Sequence, residues 1–381
     1  MDKSLREVAG TFTALYEAIT DQSVAERLRA CGPWVQALLR QMFPMATIES
    51  LPAGRRFVVL DASSIQAPGA TGTDHRLPIA MDLVSLQLLG VLVSDVHTGE
   101  TLKHFTFAPG DIAVADRGYA QCQGRRAALQ QGAALIVRLP PFSVVLGDAT
   151  GTPLELCAAL KRQRMATLRT LVVTLRATGG QHEVRGWVHA YRLNVEQANR
   201  ARHKCRQGHK KGTPSAESLF LAGWVLVFTT LAPTVLSAPT IMALYRGRWQ
   251  VEIAIKRWKS VLDVDAWRAK AHSPLAEVWL HGKLLYALML ERRMRRQLGD
   301  SWGRLDRERI GTWWRVWGML KDEITPLITG ALFWKADAWA AWLKVLVERP
   351  RRRTLQQLPP AALDVLYCCE ASQQEGMPIA A

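Results

Sequence analysis

The sequence predicts a mixed α/β fold, in which a central sheet is flanked by helices and interrupted by a β-rich insertion. Short apolar runs rich in β-branched residues, at 57–60 and 112–115, indicate buried strands. Apolar positions at helical spacing over 245–262 indicate a helix packed on a core, and the chain after residue 270 is helical and rich in tryptophan. Strands around one sheet, followed by helices, are typical of mixed α/β architecture.

The order of these patterns divides the chain into five regions. Residues 1–55 carry apolar side chains at helical spacing, and residues 56–140 contain the first strand candidates of the core. Residues 141–218 contain short strand candidates around a Gly-Gly turn, which indicate the β-rich insertion. The core resumes over 219–300, and residues 301–381 form a helical carboxy-terminal region.

The charge of the chain indicates a polyanionic partner. The formal net charge is +16 and the isoelectric point is about 10.0. Such an imbalance bears on binding and association and says nothing about the fold. Nucleic acid is the first candidate, and an acidic membrane surface is the alternative.

One basic segment, 198–212, concentrates this charge without any acidic residue. Its cations are Arg200, Arg202, Lys204, Arg206, Lys210 and Lys211. Together with two glycines, they indicate a mobile loop that grips phosphates, and a solvated run of charge is the alternative. His203, Cys205 and His209 lie in the same segment and have the residue types of zinc ligands, but no fourth ligand is evident.

The sequence favours a cytoplasmic protein without a membrane span. The uncharged stretch Ser218–Tyr245 is long enough to cross a bilayer, but Pro233 and Pro239 interrupt it and β-branched residues favour a strand. We therefore expect a buried strand, a turn and then a helix. The amino-terminal residues have the pattern of an ordinary helix rather than a secretory signal, and six scattered cysteines without a CxxC pair fit a reducing compartment.

The segment LYRGRWQVEIAIKRWKSVL carries the most informative group of polar residues. At about 100° per residue, Tyr245, Arg248, Glu252 and Lys259 fall on one quarter of a helix surface, and Lys256 joins them. A glutamate among cations suits a site in which the carboxylate holds a metal and the cations hold a phosphate. The alternative is a solvated helix face with ordinary pairs of opposite charge.

Two aspartates complete a candidate set of acids, since each follows an apolar run. Asp61 follows Phe-Val-Val-Leu, and Asp116 follows Ile-Ala-Val-Ala. An unpaired carboxylate at the end of a buried strand is costly for stability and well placed to bind a cation. Aspartates that only cap turns are the alternative. Four rival acids lie nearby, namely Asp74, Asp82, Asp95 and Asp111, and Asp61 and Asp116 are preferred because each terminates an apolar run.

With these motifs, VVLDASSI, VADRGYA and the Tyr-Arg-Glu-Lys spacing, the chain resembles DDE transposases of bacterial insertion sequences. The resemblance covers roughly residues 55–300 and lies in the branch with the Tyr-Arg-Glu-Lys signature. That branch places a β-rich insertion between its second aspartate and its glutamate, which here are Asp116 and Glu252. The resemblance therefore implies a ribonuclease H-like core interrupted by an insertion.

The resemblance also implies a mechanism and a partner. Asp61, Asp116 and Glu252 would hold two Mg²⁺ or Mn²⁺ ions, water would free a 3′-hydroxyl at each element end, and that hydroxyl would attack target DNA. The protein would act as a homodimer on double-stranded DNA. The alternatives are a nuclease on the same core that cuts without joining, and a decayed protein that binds DNA without catalysis.

The resemblance further implies DNA-binding roles for basic and aromatic residues. The residues expected to contact DNA phosphates are Arg117, Tyr245, Arg248, Lys256 and Lys259. Trp224 stands at the same distance before the glutamate as a family tryptophan that stacks on a base flipped out of the duplex. The alternative is that Trp224 is an ordinary buried residue of a strand.

Overall fold

The computed structural model describes most of the chain before residue 300 and two short segments after it. The described ranges are 4–43, 55–66, 70, 72–140, 144–162, 167–176, 183–208, 213–266, 269–270, 273–298, 313–320 and 358–366. In chain order the strands are β1 (Arg56–Ile65), β2 (His75–Asp82), β3 (Leu88–Val91), β4 (Ser94–Asp95), β5 (Asp111–Ala115), β6 (Ala134–Arg138), β7 (Val145–Gly147), β8 (Leu168–Arg176), β9 (Glu183–Arg192) and β10 (Trp224–Thr229). The helices are α1 (Leu5–Leu15), α2 (Asp21–Ala30), α3 (Gly32–Gln41), α4 (Cys122–Gln130), α5 (Leu156–Lys161), α6 (Val195–Gly208), α7 (Ala216–Leu221), α8 (Ala238–Gly247), α9 (Trp249–Leu262), α10 (Pro274–Leu298) and α11 (Trp313–Leu320).

The chain divides into two compact units. The first comprises Met1–Ala46, Asp61–Gly99 and Trp249–Gln357, and the second comprises Thr47–Leu60, Glu100–Arg248 and Leu358–Ala381. The boundary passes through β1, whose first half belongs to the second unit and whose second half belongs to the first. Both units combine strands with helices, so the mixed α/β prediction is confirmed.

In the first unit, helices pack on one another and on a small group of strands. Helix α10 packs against α2 and α3, while α9 contacts α10, α11 and β2. The predicted apolar stripe of α9 lies inward, since Val251, Trp258 and Leu262 are almost fully buried. Strand β2 pairs in antiparallel fashion with β3 and with β4, and it neighbours β1.

The second unit is built on a mixed sheet with the strand order β1–β5–β6–β10–β9–β8–β7. Strands β1, β5 and β6 are parallel, and β6, β10, β9, β8 and β7 are successively antiparallel. All five residues of β5 are buried, as the continuous apolar run predicts for a parallel strand covered on both faces. Strands β7, β8 and β9 lie in the region where the sequence predicts the β-rich insertion.

A buried ion pair joins the first residues of β1 and β5. Arg56 Nε donates to Asp111 Oδ1 at 2.9 Å, and Arg56 Nη2 donates to Asp111 Oδ2 at 2.7 Å. Both side chains are almost inaccessible to solvent, and Asp111 Oδ2 also accepts the main-chain N–H of Ala108. A bidentate pair of this kind satisfies both charges only while the two strands keep their register.

The structure corrects three expectations about local structure. The predicted single helix over 245–262 is two helices, because α8 ends at Gly247 and Arg248 forms a turn before α9. Glycine has a low helix propensity, which favours such an interruption. The stretch Ser218–Tyr245 contains the end of α7, strand β10 and most of α8, so a helix precedes the expected strand. Among the described residues, no helix is both long and apolar enough to span a bilayer.

The third correction concerns the basic segment, which is helical up to Gly208 rather than a loop. Asn194 caps the helix by accepting a hydrogen bond from the Gln197 N–H at 2.8 Å. Glu196 and Arg200 form a pair one turn apart, which supports an isolated helix. Residues 209–212, which include His209 of the possible zinc set, lie outside the described residues.

The buried ion pair gives a prediction about stability. Asp111→Asn removes one charge and leaves that of Arg56 buried without compensation, so the free energy of unfolding should fall by about 3–5 kcal/mol. Urea denaturation measures this change. The matched control is Glu196→Gln, which breaks an exposed pair with Arg200 and should leave the urea midpoint unchanged. An unchanged midpoint for Asp111→Asn would contradict the prediction.

Candidate active site

The two predicted aspartates follow a pair of residues that are in register. Leu60 of β1 pairs with Ala115 of β5, and this is the last pair between the two parallel strands. Asp61 follows Leu60 in the chain, and Asp116 follows Ala115. Strand β1 continues to Ile65, so the expectation that Asp61 ends its strand is corrected: only the pairing with β5 stops before it. The residues after Asp61 alternate between buried and accessible positions, as the side chains of an extended strand do.

Asp116 lies in the second unit with cations and a phenol around it. Tyr245 Oη donates a hydrogen bond to Asp116 Oδ1 at 2.9 Å, although the two residues are 129 positions apart. Arg138, the last residue of β6, places Nη1 3.8 Å from the same oxygen. The Asp116 side chain is 32% exposed, so the carboxylate is accessible from solvent.

This environment keeps Asp116 ionised. Burial raises the pKa of Asp116, but the hydrogen bond from the Arg117 N–H, the charges of Arg248 and Arg138, and the hydrogen bond from Tyr245 together outweigh it. The net result is a pKa of Asp116 below the ordinary aspartate value. Burial and the charge of Asp116 raise the pKa of Tyr245, so its phenol stays protonated and donates at neutral pH.

The turn after Asp116 is narrow because Gly118 has no side chain. Arg117–Tyr119 forms one turn of 3-10 helix, with the Arg117 side chain exposed and Tyr119 buried. The carboxylate of Glu100 lies against Gly118, where any side chain at position 118 would collide with it. A second acid therefore lies at the same turn as Asp116, and the sequence analysis did not single it out.

Glu252 and Lys259 lie on α9 in the first unit. Glu252 is half-buried, and Lys259 Nζ donates to the main-chain oxygen of Ser64 at 2.7 Å. Ser64 belongs to the second half of β1, so this contact attaches α9 to the strand that carries Asp61. Lys259 also lies 3.8 Å from Asp265. In this structure Lys259 has protein partners on the face that was expected to contact phosphate.

Lys256 is exposed and lies over an aromatic ring. Its Nζ is 4.4 Å from the ring centroid of Trp249, whose side chain is 48% exposed. A cation over an indole face is attracted by the ring quadrupole. Lys256 therefore remains at the surface of α9, where a polyanion can approach it.

Most of the rival acids have structural roles. Asp111 forms a buried ion pair with Arg56. Asp82 Oδ1 accepts hydrogen bonds from the main chain and the hydroxyl of Ser85, and Asp95 does the same for Thr98. These are the turn-capping contacts that aspartate commonly makes.

Arg138 is the member of the Asp116 environment that the sequence analysis missed. It follows the apolar run of β6, and β6 pairs in parallel with β5. A signal was available, since Arg138 follows its apolar run as Asp116 follows that of β5. Polar residues at the carboxyl ends of neighbouring parallel strands meet at one edge of a sheet.

Trp224 begins β10 and lies beside a cavity of the second unit. The cavity has a volume of about 640 Å³, and its wall includes Trp224, Phe220, Lys161, Arg192 and Arg202. Trp224 itself is 8% exposed, and its ring is contacted by the guanidinium of Arg169, 5.3 Å from the ring centroid. Both interpretations of Trp224 thus have support, since it is a buried strand residue and also lines a cavity with cationic walls.

The three candidate acids have the donor atoms that suit a hard cation. Carboxylate oxygens are the ligands that Mg²⁺ and Mn²⁺ prefer, and Asp116 is ionised and accessible. Among the described residues, no group of three or more His, Cys, Asp and Glu side chains is arranged to hold a metal ion.

Comparison with known proteins identifies relatives of one kind. Residues 52–288 match the family model described as "Transposase DDE domain". The chain is 29% identical over 297 residues to the putative transposase InsL for insertion sequence element IS186A of Escherichia coli K12. The aligned region covers 76% of this chain and 80% of that protein. The transposase for insertion sequence element IS421 of Escherichia coli gives the same identity and coverage. The transposase for IS231C of Bacillus thuringiensis subsp. berliner is 26% identical over 265 residues, covering 61% of this chain and 55% of that protein.

The environment of Asp116 predicts a pH-dependent stability. The pKa of Asp116 is lower in the folded than in the unfolded protein, so the ionised carboxylate stabilises the fold. This stabilisation is fully present above the ordinary aspartate pKa, and it is lost as the pH falls through the pKa of Asp116 in the folded protein. Tyr245→Phe removes a hydrogen bond to the carboxylate, so it should lower the free energy of unfolding by about 1.5 kcal/mol at pH 7. At about pH 3 the effect should be smaller, because the carboxylate begins to protonate.

Urea denaturation at the two pH values measures this difference. The matched control is Tyr16→Phe, because the Tyr16 side chain is 73% exposed and the variant should behave as wild type at both values. An equal loss at both pH values for Tyr245→Phe would show that the phenol does not act through the charge of Asp116.

Proposed function

The chain belongs to the family of transposase DDE domain proteins, and from this premise we propose that it is an insertion-sequence transposase. It binds the ends of a mobile DNA element, cleaves them by metal-dependent phosphodiester hydrolysis and joins the 3′-hydroxyl ends to target DNA. The observation that carries the proposal is the hydrogen bond between Tyr245 and Asp116. It links the Tyr-Arg-Glu-Lys signature to the Asp-Arg-Gly-Tyr motif, as a shared site requires.

We assign Asp61, Asp116 and Glu252 as the acids that hold two divalent cations. The register of β1 with β5 supports the two aspartates, since each follows a residue of the last matched pair. The contact of Lys259 with Ser64 supports Glu252, because it attaches the helix of Glu252 to the strand of Asp61. When bound, a pair of divalent cations activates the attacking oxygen and stabilises the leaving oxygen.

The chain's own residues orient and neutralise the DNA in this proposal. Tyr245 fixes the Asp116 carboxylate, and so acts on the acid rather than on the DNA backbone as first expected. Arg248 and Arg138 keep Asp116 ionised and supply positive charge next to a scissile phosphate. Arg117 and Lys256 are exposed and can contact backbone phosphates.

The reaction in this proposal has two steps at phosphorus. Water attacks the phosphodiester at the element end, the bond to the 3′-oxygen breaks, and that oxygen takes a proton to become a 3′-hydroxyl. The 3′-hydroxyl then attacks a phosphodiester of the target, and the target's own 3′-oxygen leaves. Each step exchanges one ester bond for another or for a free hydroxyl, so no oxidant or external energy source is needed.

Trp224 receives the base displaced from the duplex in this proposal. The neighbouring cavity has a volume of about 640 Å³, and its walls carry cations as well as aromatic rings. An aromatic face offsets part of the cost of unstacking a base, and cations on the same wall can hold the adjoining phosphates. Arg169 contacts the Trp224 ring from the protein side and holds it in place through a hydrogen bond to the Leu160 oxygen.

The acid assignment predicts the loss of cleavage without loss of binding. Asp61→Asn, Asp116→Asn and Glu252→Gln should each reduce the rate of end cleavage by about 10³-fold or more, because the cations lose a ligand. Their affinity for the DNA ends should stay close to that of wild type. The assay uses a linear DNA that carries the sequences flanking the coding region, with gel analysis of the products.

Matched controls come from the acids with structural roles. Asp82→Asn and Asp95→Asn carry the same change in charge and should retain cleavage. Retained cleavage in any of the three acid variants would reassign that position. A pre-cleaved end then separates a transposase from a nuclease, since only the transposase gives a joined product.

The cavity predicts a dependence of excision on an aromatic side chain at position 224. Trp224 is buried, so its change to alanine would leave a void and destabilise the strand as well. Trp224→Phe keeps an aromatic face and should retain most excision, whereas Trp224→Leu has a similar size without stacking and should lose about 10- to 100-fold. Thermal midpoints check that the two variants fold equally. Equal excision by both would assign Trp224 to the core alone.

A further inference from the structure

Helix α6 has two faces of opposite character. The inner face, Ala198, Ala201, Arg202 and Cys205, is buried or half-buried. Arg202 fixes it to α7, since Arg202 Nε donates to the Leu219 oxygen at 3.2 Å. The outer face is exposed and carries Arg200, His203, Lys204, Arg206 and Gln207.

The outer face is cationic and has no apolar side chain. The helix as a whole has four arginines and lysines against one acid, Glu196, in its first turn. Only Ala198 is fully buried, so burial contributes little to holding this helix in the fold. A helix that is polar on almost every side is commonly one that faces solvent or a charged partner.

We propose that the outer face of α6 binds the sugar-phosphate backbone of double-stranded DNA. The inference rests on the proposed function for the identity of the polyanion. The side chains of Arg200 and Lys204 are one helical turn apart and project from the same stripe, so they can contact successive phosphates. A phosphate contact of this kind positions the duplex and reads no sequence.

The position of α6 beside the cavity strengthens this assignment. Val195, Ala198 and Arg202 of α6 line the cavity that contains Trp224. A DNA end that places a base in this cavity therefore brings its flanking phosphates to α6. Helix α6 places Arg202 on the cavity wall and presents its cationic outer face to solvent. One helix can therefore contact both the displaced base and the phosphates that flank it.

An anionic membrane is the rival partner for a basic helix, and the structure disfavours it. Helices that lie on membranes combine a basic face with a broad apolar face that enters the lipid. On α6 the exposed apolar side chain is Val195 in the first turn, and the outer face has none. The exposed charge is therefore suited to a soluble polyanion.

The test compares two variants of the full chain with the same change in net charge. Arg200→Gln, Lys204→Gln and Arg206→Gln are combined in one variant of α6. Arg27→Gln, Arg29→Gln and Arg40→Gln are combined in the control, because these arginines are exposed on α2 and α3. Glutamine has a helix propensity close to that of arginine and lysine, so both variants should fold.

The probe is a DNA duplex of arbitrary sequence, and its binding constant is measured by fluorescence anisotropy from about 50 to 200 mM salt. Each lost phosphate contact reduces the magnitude of the slope of log K against log salt by about 0.9. The slope of the α6 variant should therefore be smaller in magnitude than that of wild type by about 2 to 3. The control variant should keep the wild-type slope. If the α6 variant does not fold, Lys204→Gln alone, compared with Arg29→Gln, should lower the slope by about 1.

The outcomes separate this inference from the proposed function. Equal slopes for the α6 and control variants, with normal DNA binding by wild type, overturn the inference and leave the transposase proposal standing. Failure of wild type to bind DNA at all overturns both. Binding to vesicles of anionic phospholipid that is lost only in the α6 variant, with an unchanged DNA slope, would assign α6 to a membrane surface instead.

Discussion

The parallel register of β1 and β5 is the constraint on which the proposed site depends. Arg56 and Asp111 form the first matched pair, and their buried bidentate contact is broken by any slip of one strand along the other. Asp61 and Asp116 each stand five positions later in their chains. A slip of one residue would also turn every side chain of a strand to its opposite face. The ion pair at one end of the pairing therefore fixes its register as far as Leu60 and Ala115, the residues that precede the two acids in the chain.

Electrostatics near Asp116 satisfy two needs with one set of residues. In the proposed site, the half-buried Asp116 carboxylate has to remain charged to bind a cation, and burial alone would raise its pKa. The hydrogen bond from the Arg117 N–H, the charges of Arg248 and Arg138 and the hydrogen bond from Tyr245 reverse that effect without covering the carboxylate, which stays 32% exposed. The same positive charge lies where a phosphodiester, itself anionic, would have to approach an acid. Cations that stabilise the resting carboxylate are thus the cations that reduce its repulsion of the substrate.

Much of the fold and part of the site could be predicted from the sequence, for identifiable reasons. Buried parallel strands leave continuous apolar runs, so the paired parts of β1 and β5 and the acids that follow those runs could be predicted. The apolar stripe of α9 followed from helical spacing. Arg138 was missed because its role depends on which strand lies next to β5. The order of strands in a sheet cannot be predicted from the local sequence pattern. The helical nature of α6 was missed because the glycines and charge of the segment 198–212 are typical of a loop, whereas Asn194 and the Glu196–Arg200 pair stabilise a helix.

In the proposed function, a basic helix beside a nearly buried tryptophan has a physical purpose. A base that leaves the duplex loses its stacking and pairing energy, so binding in a cavity alone offsets only part of that loss. The cavity walls supply Phe220, Lys161 and Arg192 as well as Trp224, but they offer contacts only to the displaced nucleotide and its nearest phosphates. Holding the flanking backbone on the outer face of α6 would fix the strand in place before the base moves. The phosphate contacts would then offset the entropic cost of ordering the DNA. Stacking on the Trp224 ring would only have to stabilise the base in its flipped position.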